Sequence, residues 1–224
     1  MSNVDGSSPI ITNCTFSANI ATVSCGGIND YNDCYPIINN CILWDNTPPQ
    51  ISDVLNCAAT VNYSDIQGGW LGAGIGNINA DPCFVDPDGT DNIMGTLDDN
   101  FRLLWNSPCI DTGNNSLVPP DTANLDNDCN TAEQTPLDLD GRPRFADGDC
   151  NDTVIVDMGA YEFAYAYIGD FDDDCDVDFF DFAILASYWM LNEPSVDIAP
   201  PPQGDNIIDI LDLDILCRNW LAGK

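Results

Sequence analysis

From Asp170 to Asp181 the chain reads D-F-D-D-D-C-D-V-D-F-F-D, placing carboxylates at positions 1, 3, 5, 7, 9 and 12 of the run. That is the ligand spacing of a calcium-binding loop. Calcium takes six to eight hard oxygens at about 2.3–2.6 Å, and alternate residues of a tightly curled loop aim their oxygens inward to supply them. On this spacing the side chains of Asp170, Asp172, Asp174 and Asp181 ligate directly. Asp176 offers its backbone carbonyl, and Asp178 acts directly or through a water. The competing interpretation is a solvated acidic turn. Against it, the apolar run from Phe179 to Leu191 begins where the exit helix of such a loop begins.

A shift of 31 residues aligns Val177-Asp178 with Ile208-Asp209, Asp181-Phe182 with Asp212-Leu213, Ile184-Leu185 with Ile215-Leu216, and Trp189 with Trp220. Two copies of an EF-hand-like loop and helix, each ending in Trp, resemble a type I dockerin domain, over residues 166–224. The second copy departs from the pattern. Counting back from Asp212 as position 12, positions 1 and 3 fall on Pro201 and Gln203, and only Asp205, Asp209 and Asp212 stay in register. Asp197 lies four residues early, before the insert Ala199–Gln203. Either an enlarged loop brings Asp197 back onto the ion, the reading favoured here, or the second site is weak or empty. The resemblance implies a cohesin-like partner, met in this family through loop positions 10 and 11. Those are Phe179-Phe180 and Ile210-Leu211, an apolar set in place of the family's common hydroxyl pair. One residue of each pair is expected to fill the core and the other to face the partner.

Charge narrows the setting. The chain carries 37 acidic against 5 basic residues and no histidine, a net charge of −32. This excludes nucleic acid and anionic membrane surfaces as favoured partners. Eleven cysteines are dispersed with no C-x-x-C pair, which argues against zinc and for an oxidising, extracellular compartment. Expected bonds are Cys14–Cys41, with an unbonded thiol ladder as the alternative, then Cys175–Cys217, and Cys129–Cys150 stapling the 138–144 turn. No apolar span approaches 18 residues. The polar start lacks the order of a signal peptide, so a secreted origin implies a longer parent protein.

Upstream, Pro9-Ile-Ile-Thr-Asn-Cys14 recurs as Pro36-Ile-Ile-Asn-Asn-Cys41, 27 residues later. A fixed period with short β-branched segments and Asn or Gly at the bends points to a solenoid. Ile10, Thr12 and Cys14 are expected on one strand face, with Ile11 and Asn13 on the other. The pattern resembles a right-handed parallel β-helix of bacterial surface proteins and polysaccharide lyases, here over residues 1–62. Residues 63–165, with Asn62-Tyr-Ser-Asp-Ile-Gln-Gly-Gly-Trp70, Ser107-Pro-Cys-Ile-Asp-Thr-Gly113, Asp138-Leu-Asp-Gly-Arg-Pro-Arg144 and Val156-Asp-Met-Gly-Ala-Tyr-Glu-Phe163, resemble the irregular C-terminal region of such proteins. Trp70, Phe84, Phe101, Leu103, Trp105 and Phe145 are candidates for its cap. The fold class is therefore mainly β, with a small all-α module at the end.

Catalytic signals are thin. Gly72-Ala-Gly74-Ile-Gly76 lacks the spacing and lysine of a phosphate loop and reads as a turn. Serine–histidine and cysteine–histidine pairs are impossible without histidine, and paired Asp residues are uninformative in a chain so rich in them. Arg142 and Arg144 read as structural partners of nearby Asp. Asp126, Asp128 and Asn130 alternate as calcium ligands do, but Glu133 comes too soon for an EF-hand, which favours a hydrogen-bonded loop. The reading is a non-catalytic C-terminal part of a secreted or surface protein that binds Ca2+ and docks to a cohesin-like partner. The alternatives are a fragment of a β-helix lyase or glycoside hydrolase that meets polysaccharide through coils upstream, and a purely structural calcium clamp.

Overall fold

The computed structural model describes residues 1–151, 153–164, 167–172, 174–200 and 204–222. The chain divides into two compact units, Met1–Ala164 and Tyr165–Lys224. It is mainly β, with parallel sheets and two short helices. Among the described residues no helix is long and apolar enough to cross a membrane.

In the first unit the chain winds three times through three short strands per turn. These are β1 (Ser2–Val4), β2 (Ile10–Thr12) and β3 (Thr15–Ser17), then β4 (Ile28–Tyr31), β5 (Ile37–Asn39) and β6 (Ile42–Trp44), then β7 (Ile51–Val54), β8 (Thr60–Asn62) and β9 (Asp65–Ile66). Three parallel sheets result, in the orders β1-β4-β7, β2-β5-β8 and β3-β6-β9. Ser2 faces Asn29, Ile10 faces Ile37 and Thr15 faces Ile42, all at an offset of 27. The next winding follows at 23, with Ile28 facing Ile51, Ile37 facing Thr60 and Ile42 facing Asp65.

Corners hold this register. Asn13, Asn40 and Tyr63 stack at one bend, all with φ between 46° and 49°. Ala18, Asp45 and Gly68 stack at another, and Asp5, Asn32 and Leu55 at the third, again with positive φ. A left-handed residue turns the chain sharply without a long loop, which explains the Asn, Asp and Gly at these sites. Side chains reinforce the stack: Asn62 Nδ2 donates to Asn39 Oδ1 (3.0 Å), Asn19 Nδ2 to Asn46 Oδ1 (2.8 Å) and Asn56 Nδ2 to Asp33 Oδ1 (2.8 Å). Inside, Ile11, Ile38 and Val61 form one buried column, and Phe16, Leu43 and Ile66 pack as another.

Three expectations need correction. The period does not stop near Val61: β8 and β9 complete a third winding, and the 62/63 boundary cuts through it. A partial fourth follows, with Ala73 bridged to Thr60 and Ile78 to Asp65. There Gly74 passes so close to β8 that a Cβ would stand 1.7 Å from the Val61 carbonyl oxygen, which explains the glycine run. Cys14 shares the core with Ile11 rather than lying on the Ile10 face, because the left-handed Asn13 resets the alternation between them. The irregular region does not simply cap the end. Trp70 packs on the winding core, but Leu103, Cys109, Ile110 and Met158 bury Ile42, which points outward from β6. Met158 sits in a segment where Gly159 N donates to Asn40 O (2.9 Å) and Ala160 N to Thr15 Oγ1 (3.1 Å). The segment thus lies along the side of the stack. Phe84 and Phe101, on the antiparallel pair β10 (Phe84–Asp86) and β11 (Asn100–Leu103), meet edge to face at 5.3 Å. Trp105 is 71% exposed and covers nothing.

Two arginines make structural pairs, one of them with a glutamate rather than a nearby aspartate. Arg102 pairs with Asp140 and lies 4.8 Å over the Tyr161 ring. Buried Arg144 pairs with buried Glu162 at 3.0 Å, joining the 138–144 and 156–163 motifs. Glu162 Oε2 also accepts from Asp157 N (2.9 Å), and Asp157 accepts from Asp111 N (2.8 Å) and Phe163 N (2.6 Å).

Several carboxyls of this unit are held out of water. Asp30 is fully buried and in register with Asp53 of the next winding, while Asn3 Nδ2 donates to its Oδ1 at 2.7 Å. Burial first, and Asp53 beyond it, push Asp30 up to about 6, against the pull of Asn3. A folded-state value above the unfolded value of about 3.9 gives stability that is complete below the unfolded value and is lost as pH rises through about 6. Burial also raises Asp65 and Asp111 to about 6 and Asp157 to about 7, with the same sign. Thermal unfolding of the first unit in chelator should therefore show a midpoint falling from pH 5 to pH 8. Asp30→Asn should flatten part of that fall; a midpoint that rises over this range would refute the assignment.

Candidate metal centre

The second unit is built from two copies of one loop and one helix. Helices α1 (Phe179–Ser187) and α2 (Ile210–Arg218) start at the N-caps Asp178 and Asp209. Asp178 accepts from Phe180 N and Asp209 from Leu211 N, both at 2.8 Å. Each cap has its reciprocal partner three residues on: Asp178 N donates to Asp181 Oδ2 and Asp209 N to Asp212 Oδ2, again at 2.8 Å. Carboxylates in the first turn suit the positive end of the helix dipole.

Asp181 and Asp212 are both fully buried, and each also ties down the start of its loop. Phe171 N donates to Asp181 Oδ1 at 2.6 Å. Ile198 N and Ala199 N donate to Asp212 Oδ1 at 2.8 and 2.9 Å. The pattern makes Asp197 the counterpart of Asp170. Cys175 N donates to Asp170 Oδ2 at 3.1 Å, and Asn206 N donates to Asp197 Oδ2 at 2.6 Å. Cys175 and Asn206 occupy the same loop position and share the left-handed φ, 70° and 73°. Asp174 and Asp205 match too, accepting from Asp176 N (3.1 Å) and Ile207 N (3.2 Å). The second loop therefore runs from Asp197 to Asp212, four residues longer than Asp170–Asp181. Gly204 makes this path possible, since a Cβ there would come 2.2 Å from Asp197 Oδ1. Pro201 and Gln203, the in-register candidates for positions 1 and 3, lie outside the described residues.

The two copies also clasp each other. Val177 N donates to Ala222 O (3.1 Å), and Val177 O accepts from Leu221 N (2.9 Å). Thirty-one residues on, Ile208 N donates to Leu191 O (3.0 Å), and Ile208 O accepts from Met190 N (2.8 Å). Each loop is thus held by the chain leaving the helix of the other copy. Val177, Ile208, Leu185, Leu216 and Val196 form the core, with Phe171, Ile184 and Trp220 against it.

Carboxylate oxygens of Asp170, Asp172 and Asp181 lie within 4.8 Å of one another, and so do those of Asp174, Asp176 and Asp181. Two ligands on opposite sides of a calcium ion are about 4.6–5.2 Å apart, so each set fits one coordination sphere. All donors are hard oxygens. Burial, then Asp174 and Asp181, raise the Asp172 carboxyl, the mark of like charges crowded without a cation. Asp178 serves as a helix cap. Among the described residues no such triad includes Asp197, Asp205, Asp209 or Asp212.

The first unit holds two further acidic triads. Asp121, Asp126 and Glu133 converge, rather than the alternating Asp126, Asp128 and Asn130 of the sequence pattern, each of which accepts from the backbone amide two residues on. Asp111, Asp147 and Asp149 form the other, and Asp149 N donates to Asp111 Oδ2 (2.8 Å). The alternation Asp147-x-Asp149 was the only sequence signal for it.

The expected partner-facing residues are placed differently from the expectation. Phe179, Phe180, Ile210 and Leu211 are 75, 69, 62 and 49% exposed, so neither pair contributes a core residue. The core is filled instead from loop position 8, Val177 and Ile208, which leaves both residues at each helix start outside. Phe179 packs edge to face on Trp220 at 5.2 Å. Cys14 and Cys41 are free thiols, the unbonded alternative for that pair, and because Cys129 and Cys217 are also free neither Cys129–Cys150 nor Cys175–Cys217 is formed.

Comparison with protein-family models, curated proteins and solved structures finds no match to this chain.

Asp181→Ala removes an acceptor of two loop amides in a fully buried site. Hydrogen bonds to a charged group are worth about 1.5–3 kcal/mol each, so a loss of at least about 2–4 kcal/mol is expected in urea unfolding followed by helical circular dichroism in millimolar calcium. Phe180→Ser should stay within about 0.5 kcal/mol of the parent. Equal effects of the two substitutions would contradict the placement of both side chains.

Proposed function

We propose that this chain is the calcium-dependent docking end of a secreted or surface-displayed bacterial protein. In this reading the stacked windings are the last coils of a right-handed parallel β-helix with an irregular C-terminal region. The second unit is a type I dockerin-like domain. It holds Ca2+ on Asp170, Asp172, Asp174, Asp176 and Asp181, with Asp178 closing the helix end of the loop. A second ion is held by Asp197, Asp205, Asp209 and Asp212. The partner is a cohesin-like domain, and the setting is polysaccharide breakdown or surface assembly.

The observation that carries the reading is the duplication of the loop, capping box and clasp around Asp170 and Asp181, repeated around Asp197 and Asp212. A merely acidic surface has no reason to repeat a buried carboxylate with the same backbone partners. Residues 166–224 carry 12 Asp and Glu193 against Arg218 and Lys224, a net charge of −11 on a unit whose buried cluster, among the described residues, is Val177, Leu185, Val196, Ile208 and Leu216. Such a unit repels itself, and a bound divalent cation returns folding free energy by linkage. With the helix starts fixed, the exposed Phe179, Phe180, Ile210 and Leu211 offer an apolar surface to a partner.

Calcium titration of the intact chain should raise helical circular dichroism, and chelator should reverse the rise while leaving the β signal. Equal helicity in chelator and millimolar calcium would sink the proposal. Calorimetry should count two ions, falling to one in Gly204→Ala, where the added methyl displaces Asp197. Phe180→Ser with Leu211→Ser should lose at least tenfold in affinity for a cohesin-like domain with calcium-dependent helicity unchanged. Undiminished binding would move the docking surface elsewhere.

A further inference from the structure

Four of the five cysteines in the windings stand in two vertical pairs, set by the same register as the strands. Cys14 and Cys41 differ by the offset of 27 that relates β2 to β5 and β3 to β6. Cys34 and Cys57 differ by the 23 that relates β4 to β7 and β5 to β8. The ladder continues through both: Ile42 N donates to Cys14 O at 3.0 Å, and Ala58 N donates to Cys34 O at 3.1 Å. Neighbouring parallel strands are about 4.8 Å apart, inside the Cα separation a disulfide accepts.

The side chains are paired as well as the backbones. Cys14 Sγ lies 3.2 Å from the carbonyl oxygen two residues before it, and Cys41 Sγ lies 3.0 Å from its own equivalent, so the two thiols point the same way. They hydrogen-bond to each other. In the second pair Cys34 N donates to Cys57 Sγ at 3.2 Å. Each pair has one buried and one half-buried member: Cys41 and Cys34 are inside, Cys14 and Cys57 reach solvent. Cys14 opens into a shallow depression beside Arg144 and Asp138. The bond from Cys41, helped by Arg144, lowers the Cys14 thiol to about 7 against the opposing effect of burial. A fraction of it is therefore thiolate at neutral pH.

We propose that Cys14–Cys41 and Cys34–Cys57 are two thiol–disulfide couples that lock successive windings together, with a low-molecular-weight disulfide as oxidant. The Cys14 thiolate attacks one sulfur of that disulfide, forming a mixed disulfide and releasing one thiol. Cys41 then attacks the Cys14 sulfur, closing the protein bond and releasing the second thiol. The oxidant takes up two electrons, and the two protons of Cys14 and Cys41 end on the two released thiols. Cys57 and Cys34 react in the same order. The result closes loops of 27 and 23 residues across the three windings.

The test is independent of calcium in the second unit. The full chain is equilibrated with oxidised glutathione, alkylated, and mapped as unreduced peptides by mass spectrometry. Peptides joining Cys14 to Cys41 and Cys34 to Cys57 are expected, with Cys25 and Cys109, both buried, still alkylated only after unfolding. The unfolding midpoint of the first unit should rise by about 5 °C or more and return on reduction. Cys14→Ser should abolish the first link alone and Cys34→Ser the second alone. Glutathione left as a stable mixed disulfide on Cys14 or Cys57, links from any of these four cysteines to a cysteine outside its pair, or all four thiols untouched at every ratio would each overturn the proposal.

Discussion

A strand in the middle of the first unit hydrogen-bonds to the winding on either side of it, so no strand can slip without shifting partners on both faces. Every strand-to-strand step inside a winding is correspondingly rigid. Five residues separate β1 from β2, β4 from β5 and β7 from β8, and two separate the second strand from the third in each winding. Only the return connection varies, with ten residues between β3 and β4 and six between β6 and β7. Length is tolerated where the chain leaves the ladder and nowhere else. The stacked asparagines, the left-handed corners and the paired cysteines all follow from that fixed register.

The second unit solves a different problem, how to fold a small chain with more charge than core. Its answer is to use carboxylates as backbone acceptors. Asp181 and Asp212 each collect amides from the loop start and the helix cap, so the charge that would oppose folding becomes the point where loop and helix meet. The clasp through Val177 and Ile208 then makes each copy depend on the other. A single copy would lose the two backbone hydrogen bonds that the other copy makes to its loop, which is a physical reason for the duplication.

Much of this was legible in sequence where side-chain chemistry and spacing coincide. The 27-residue repeat named the first two windings because Pro-Ile-Ile and Asn-Cys recur letter for letter. The third was hidden, since the return connection shortens by four and the strand becomes Ala59-Thr-Val-Asn62, keeping shape but not identity. Asp170–Asp181 was readable from alternation alone. The role of Asp197 needed the structure, because only the hydrogen bonds from Asp205 N and Asn206 N show that the longer loop returns it to the position of Asp170. The outward placement of both residues at each helix start could not be read from hydrophobicity. Phe179 and Phe180 are as apolar as any core residue, and what excludes them is that Val177, one position before the cap, already fills the space.

The two units place their acidic groups under opposite demands. In the first, Asp30, Asp65, Asp111 and Asp157 are raised chiefly by burial, so a proton relieves them. In the second, the carboxylates around Asp181 converge on a point that a proton can neutralise only one oxygen at a time. A divalent cation neutralises several at once, provided they are ionised. Mild acid therefore favours the windings, whereas under the proposed function it is a divalent cation at neutral pH that favours the loops. Under the proposed function, holding both units folded at one pH takes a cation for the second and a covalent or packing constraint for the first. The vertical cysteine pairs, and the segment that buries Ile42, occupy the windings that such a constraint would have to hold.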